Sequence, residues 1–99
     1  MDDNRKILIA ELTARAGCEA EVRAILAEYA TDVRAEPGNQ VFECYQTQEN
    51  PRRFVVYEIY QDEKAFQAHL SAPINAQINQ RLSSVTEGGS SLTFLTQFT

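Results

Sequence analysis

Residues 54–70 read FVVYEIYQDEKAFQAHL, and their hydrophobic period changes halfway. From Phe54 to Tyr60 the residues are almost all β-branched or aromatic, the composition of a strand. Alternation puts Phe54, Val56, Glu58 and Tyr60 on one face and Val55, Tyr57 and Ile59 on the other. Both faces are apolar, which a strand with one solvated side does not require, so each side needs a cover. Asp62 then reads as a helix N-cap, its carboxylate able to accept from first-turn amides. The helix it starts carries Phe66, His69 and Leu70 on one side. His69 is the only histidine of the chain, and Glu58 is an acid inside an otherwise apolar strand.

Working outward, residues 40–48 alternate, with Val41, Glu43, Tyr45 and Thr47 opposite Phe42, Cys44 and Gln46. With a turn at Glu49-Asn-Pro-Arg52, the span 40–61 predicts an antiparallel hairpin. Upstream, Cys18, Val22, Ile25, Leu26, Tyr29 and Val33 recur at intervals of three and four, a helical stripe from Cys18 to about Ala35. Glu36-Pro37-Gly38-Asn39 ends that helix, because proline keeps its predecessor out of the α region. A break over 13–17, with Gly17 as a turn residue, separates the helix from a first strand at 6–12. Downstream, Ser71-Ala72-Pro73 interrupts the second helix, and Ile74, Ile78, Leu82 and Val85 form the stripe of a further helical segment. Residues 87–91 read as a flexible loop before a last strand at 92–98. The order β-α-β-β-α-β with right-handed crossovers predicts an α+β, ferredoxin-like sandwich. Its four-stranded antiparallel sheet has the helices on one face. The sheet's bare apolar face predicts a homodimer.

Ninety-nine residues suit a single domain, spanning 1–99. A formal charge of −5 and basic residues scattered singly or in pairs argue against nucleic acid and anionic membrane as partners. No apolar run nears the roughly 20 residues of a membrane span, and residues 1–4 lack a signal-peptide pattern, so a cytoplasmic location is expected. Cys18 and Cys44 read as reduced thiols, and one histidine without any Cys-x-x-Cys leaves no metal-ligand pattern. No nucleotide-binding glycine motif or His-Glu-x-x-His competes.

Three local patterns, carried on this order of segments, resemble the antibiotic biosynthesis monooxygenase domain of the dimeric α+β barrel superfamily. They are Ile9-Ala-Glu-Leu12 with Gly17, Glu36-Pro37-Gly38, and the run from Tyr57 to Leu70 with its Glu-x-aromatic, acid, Ala and His-Leu spacing. The resemblance spans roughly residues 6–98. It implies a homodimer with a pocket between sheet and helices, and oxygenation of electron-rich phenols, anthrones or quinols without metal, flavin or haem. Glu58 matches the family's strand acid and His69 its helical histidine. Relatives often have tryptophan in place of Tyr60 and a second histidine in place of Ile74. The chain has no tryptophan, which disfavours the haem-degrading branch.

His69 is thus the leading catalytic candidate, a base for a phenolic proton, with Glu58 to orient it or bind substrate. Tyr57 and Tyr60 are candidate donors to an oxyanion, and Phe66, Ile74, Ile78 and Phe94 candidate pocket walls. The bland reading makes the tyrosines and apolar residues core and pairs Glu58 with Arg53 or Arg81. Two alternatives stand beside a cofactor-independent monooxygenase acting on a small aromatic. One is an isomerase or other non-oxidative enzyme on a small carbonyl compound, phosphorylated or not; the other is a non-catalytic dimeric ligand-binding module.

Overall fold

The computed structural model describes residues 3–99; Met1 and Asp2, which enter the reading of the N-terminus, lie outside the described residues. The elements are β1 (Lys6–Ala14), α1 (Glu19–Arg34), β2 (Asn39–Gln46), β3 (Arg53–Tyr60), α2 (Glu63–Ser71), α3 (Pro73–Ser83) and β4 (Thr86–Leu95). The strands form one antiparallel sheet in the order β2-β3-β1-β4, the ferredoxin-like α+β arrangement. No helix among the described residues is long and apolar enough to cross a membrane.

Register fixes which side chains meet. Leu8, Ala10 and Leu12 of β1 stand opposite Glu58, Val56 and Phe54 of β3, and Phe42 of β2 stands opposite Glu58 from the other side. These residues form the inner face, its apolar members packed with Val22, Ile25, Leu26, Tyr29 and Val33 of α1 into the main core. The opposite face carries Ile9, Val55 and Tyr57, all half-buried, with Tyr45 and Leu95 exposed.

Several boundaries differ from the sequence reading: β1 runs on to Ala14, α3 ends at Ser83 and leaves Val85 outside the helix, and the last strand shifts most. Residues 87–91 are not a loop: β4 begins at Thr86 and ends at Leu95. Gly88 and Gly89 have φ of 70° and 74°, where glycine is at ease. They form with Ser90 a bulge opposite Leu12, between the pairs Thr13↔Glu87 and Glu11↔Ser91. Glycines that suggest flexibility instead bend a continuous strand. The Asp62 cap forms as expected, its side chain accepting from the Ala65 amide at 2.8 Å.

The turn from α1 to β2 is clamped at both ends. The amides of Glu36 and Asn39 donate to Val33 and Glu36 carbonyls at 2.9 and 3.1 Å, and the Gln61 amide donates to the Gly38 carbonyl at 2.9 Å. Gly38 lies so near α2 that a Cβ there would fall well inside van der Waals contact of the Ala65 Cβ. A glycine is required here by close approach, not by φ. This contact sets Glu36 beside the next turn of α2.

Candidate functional site

His69 sits near the end of α2 with its side chain 5% exposed and is held between two carboxylates. Its Nδ1 lies 3.1 and 3.2 Å from the two carboxylate oxygens of Glu36. Its Nε2 lies 3.4 Å from the Tyr29 hydroxyl and 3.9 Å from Glu58 Oε1. The Tyr29 hydroxyl accepts from Asn75 Nδ2 at 2.9 Å, which leaves its own proton to be donated to Nε2. Glu58 Oε1 accepts from the Tyr60 hydroxyl at 2.7 Å.

A cavity of about 140 Å³ opens on the Nε2 side, walled by Leu8, Phe42, Val56, Phe66, Ile78 and Leu92 and carrying the polar groups of Tyr29, Glu58, His69, Asn75, Asn79 and Ser90. Glu36 is absent from its wall. It lines instead a hollow on the far side of His69, with Pro37, Gly38, Gln61, Lys64 and Ala65. The imidazole therefore separates two concavities, Nε2 toward the inner one and Nδ1 toward the outer.

Burial raises the Glu58 carboxyl above its ordinary value and the Glu36 charge adds to this, while the Tyr60 hydrogen bond and His69 act against it. Burial pushes the Tyr29 hydroxyl up to about 12, against the Asn75 hydrogen bond and with help from the charges of Glu36, Glu58 and Asp32. Tyr60 is driven up as well, first by burial and then by its carboxylate partner. The site thus holds phenols that stay protonated at neutral pH and can act as hydrogen-bond donors. Among the described residues no group of three or more His, Cys, Asp or Glu is placed to hold a metal ion. Both thiols are free, and burial raises Cys44 to about 11.

The expected site residues fall into three groups. His69, Glu58, Phe66 and Ile78 line the cavity. Tyr60 is fully buried behind it and reaches it through Glu58, and Ile74 packs against the core without reaching the wall. Tyr57 is a correction. Strand alternation sends it to the opposite face, paired with Ile9 and Glu43, so it cannot touch a ligand beside Glu58. Phe94 stands half-exposed against Phe66, 5.7 Å between ring centroids, and is likewise not part of the wall. The arginines offered as partners of Glu58 are engaged elsewhere, Arg53 with Glu11 and Arg81 with Glu28.

Three residues escape the sequence reading: Tyr29 reads there as part of the helical stripe, Glu36 as a helix stop, and Asn75 is not singled out. A faint signal exists for Asn75. It stands with Ile78, Asn79 and Leu82 at offsets of three, four and seven, a stripe that mixes amides with apolar residues, and all four line the cavity. For Tyr29 there is none, and for Glu36 only its place in the Glu36-Pro37-Gly38 pattern, since the contacts with His69 span 33 and 40 residues.

No curated protein sequence matches the chain. Solved structures do. A Nitrosomonas europaea protein named for antibiotic biosynthesis monooxygenases superposes with a TM-score of 0.90 at 18% identity, covering 96% of this chain and 91% of that one. Rv0793 from Mycobacterium tuberculosis gives 0.88 at 21% identity, covering 96% of both chains. A mutant form of SnoaB, a cofactor-independent oxygenase from Streptomyces nogalater, gives 0.84 at 18% identity, covering 95% and 93%. At these identities the likeness establishes the fold. A family model adds the rest: the one for antibiotic biosynthesis monooxygenase matches residues 6–81, a span that includes β1, the Glu36-Pro37-Gly38 turn, Glu58 and His69. The chain belongs to the antibiotic biosynthesis monooxygenase family.

Proposed function

We propose that the protein is a cofactor-independent monooxygenase that oxidises a small electron-rich aromatic, a quinol, phenol or anthrone-type compound, with dioxygen. The observation that carries this reading is the sole histidine, buried at the wall of an apolar cavity with Nε2 facing inward. His69 takes an acidic proton from the substrate at Nε2. The resulting delocalised anion passes one electron to dioxygen, and the two radicals combine to a peroxide, which His69 protonates. For an anthrone-type methylene, loss of the second C–H proton with departure of hydroxide leaves a carbonyl. The balance is R₂CH₂ + O₂ → R₂C=O + H₂O, all electrons coming from the substrate. Tyr29, Asn75, Asn79 and Ser90 supply donors to the developing oxygen charge.

Size and charge favour this class. A dry cavity of roughly 150 Å³ accommodates a benzene ring, so about 140 Å³ suits one aromatic ring, with further rings reaching toward the exposed Leu70 and Leu92 at its rim. Among the described residues no lysine or arginine lines it, leaving a phosphorylated carbonyl compound without a cationic partner. SnoaB, a cofactor-independent oxygenase on the same fold, supports the oxygenase reading. We also propose that the enzyme works as a homodimer, the half-buried Ile9, Val55 and Tyr57 face covered by a second copy; a monomer mass in solution would refute that.

Oxygen uptake with hydroquinone and with anthrone is the test. His69→Ala should lower the rate by about 10²-fold or more. Uptake unchanged by that substitution counts against the reading, and turnover that persists without oxygen would point to an isomerase.

A further inference from the structure

We propose that Glu36 is a positioning residue for His69, fixing the imidazole as the Nδ1–H tautomer so that the Nε2 lone pair faces the cavity. The inference deepens the reading of His69 as base, but its primary observable, the tautomer of the resting protein, does not depend on that reading.

The geometry leaves little choice of tautomer. Both oxygens of the Glu36 carboxylate lie within 3.2 Å of Nδ1. An ionised carboxylate only accepts, so a lone pair on Nδ1 would face lone pairs, whereas an Nδ1–H makes a charge-assisted hydrogen bond. On the other edge, the Tyr29 hydroxyl already accepts from Asn75 and has its proton to give, so Nε2 is the acceptor of that pair. Both neighbours fit the same tautomer, but at 3.4 Å the Tyr29 contact is at the outer limit of a hydrogen bond and too weak to fix it alone, so the Glu36 contact decides. The 3.4 Å separation between Tyr29 and Nε2 is loose enough for a substrate hydroxyl to displace it, while the Glu36 bond on the far edge stays intact.

The same contacts that dock the turn on α2 hold Glu36 in place. Pro37 directly follows Glu36 where α1 has ended, and Gly38 allows the turn to press against Ala65, one helical turn before His69. The Gln61 amide ties the Gly38 carbonyl to the start of α2. Glu36 is 21% exposed by its side chain while His69 is 5%, so the carboxylate sits in the outer hollow, in contact with solvent. When protonation at Nε2 makes the ring cationic, the carboxylate opposite Nδ1 stabilises it.

Because the chain has one histidine, its ¹⁵N-imidazole spectrum needs no assignment. At alkaline pH the wild-type protein should show a single Nδ1–H tautomer; a predominant Nε2–H form overturns the proposal without any variant. Glu36→Ala and Glu36→Leu, folded by circular dichroism, should both show a mixture of tautomers. Retention of the wild-type tautomer in either overturns it. In oxygen uptake with hydroquinone, the same variants should lose about 10²-fold in kcat with KM changed by less than about threefold. Loss of the tautomer without loss of kcat would show that Glu36 does not position the base. If the wild-type enzyme consumes no oxygen with either probe, the proposed oxygenase function fails, and the spectra alone still decide the role of Glu36.

Discussion

Gly38→Ala tests the link between the Glu36-Pro37-Gly38 turn and the site. A methyl at position 38 overlaps the Ala65 Cβ, while its next neighbours, Ala65 Cα at 3.4 Å and Gln61 Cγ at 3.7 Å, sit at tolerable distances. Carbon atoms in contact prefer about 3.5–4.0 Å, so the turn and α2 must part by more than an ångström, and that separation falls on the Glu36–His69 hydrogen bond. Overpacking of this kind costs about 1–3 kcal/mol, offset in part by about 0.4–1 kcal/mol from the stiffer unfolded chain. At the resulting net loss of about 1.3 kcal/mol, a domain of this length drops roughly 5–10 °C in Tm. Since the overlap rests on one methyl, Ala65→Gly should relieve it. Alone, that change costs about 1 kcal/mol as a glycine within α2, yet in the double variant it should restore most of what Gly38→Ala removed. Urea midpoints of the four proteins form a double-mutant cycle with an expected coupling of about 1–3 kcal/mol. Additive effects, or a Gly38→Ala protein as stable as wild type, would refute the close-approach argument. They would also remove the explanation of how Glu36 is placed.

Two further outcomes follow from the buried acids. Glu58 holds its proton more tightly when folded than when unfolded, chiefly through burial. Its contribution to stability is therefore complete below the ordinary glutamate value of 4.5 and is lost as pH rises through the raised one. Glu58→Gln keeps an acceptor for Tyr60 and should flatten that descent, seen as urea midpoints that converge with wild type at acid pH and exceed it at neutral pH. Tyr29, raised from 10 to about 12, should cost stability as pH climbs across that interval. Tyr29→Phe should remove this alkaline loss while lowering neutral stability by about 1 kcal/mol, because the Asn75 amide is left without its acceptor.

Local periodicity carried most of the fold. Val22, Ile25, Leu26, Tyr29 and Val33 are all buried on α1 as their spacing requires, and the two faces of β3 separate by parity. That same parity places Tyr57 opposite Glu58, so assigning both to one ligand is a conflict visible in the sequence. The last strand was harder, because Gly88 and Gly89 have the composition of a loop and the geometry of a bulge; only the pairing with β1 distinguishes the two. The site was legible as far as His69 and Glu58, which share the β3–α2 unit. Its remaining members, Glu36, Tyr29 and Asn75, are brought to the imidazole by tertiary packing alone. A carboxylate that ends one helix carries no mark of the histidine 33 residues later that it will face.

The charge arrangement around His69 bears on what kind of anion the cavity can tolerate. In the proposed reaction, proton transfer from a neutral substrate to Nε2 would create an imidazolium and a substrate anion together, in surroundings that are largely apolar. The imidazolium is well placed, with Glu36 against Nδ1 and Glu58 3.9 Å from Nε2. The anion is not, since Glu58 shares its cavity and the available partners are neutral hydroxyls and amides. A charge confined to one or two oxygens would meet that carboxylate at close range with little compensation. A charge spread over an aromatic ring is diluted, needs fewer donors, and is held in an orbital high enough to give an electron to dioxygen. The raised Glu58 carboxyl lessens the conflict further whenever it keeps its proton, changing from a repelling charge to a hydrogen-bond donor facing the anion. Under the proposed function, selection for a delocalised anion and selection for an oxygen-reactive one would thus follow from the same two residues, one imidazole and one buried acid.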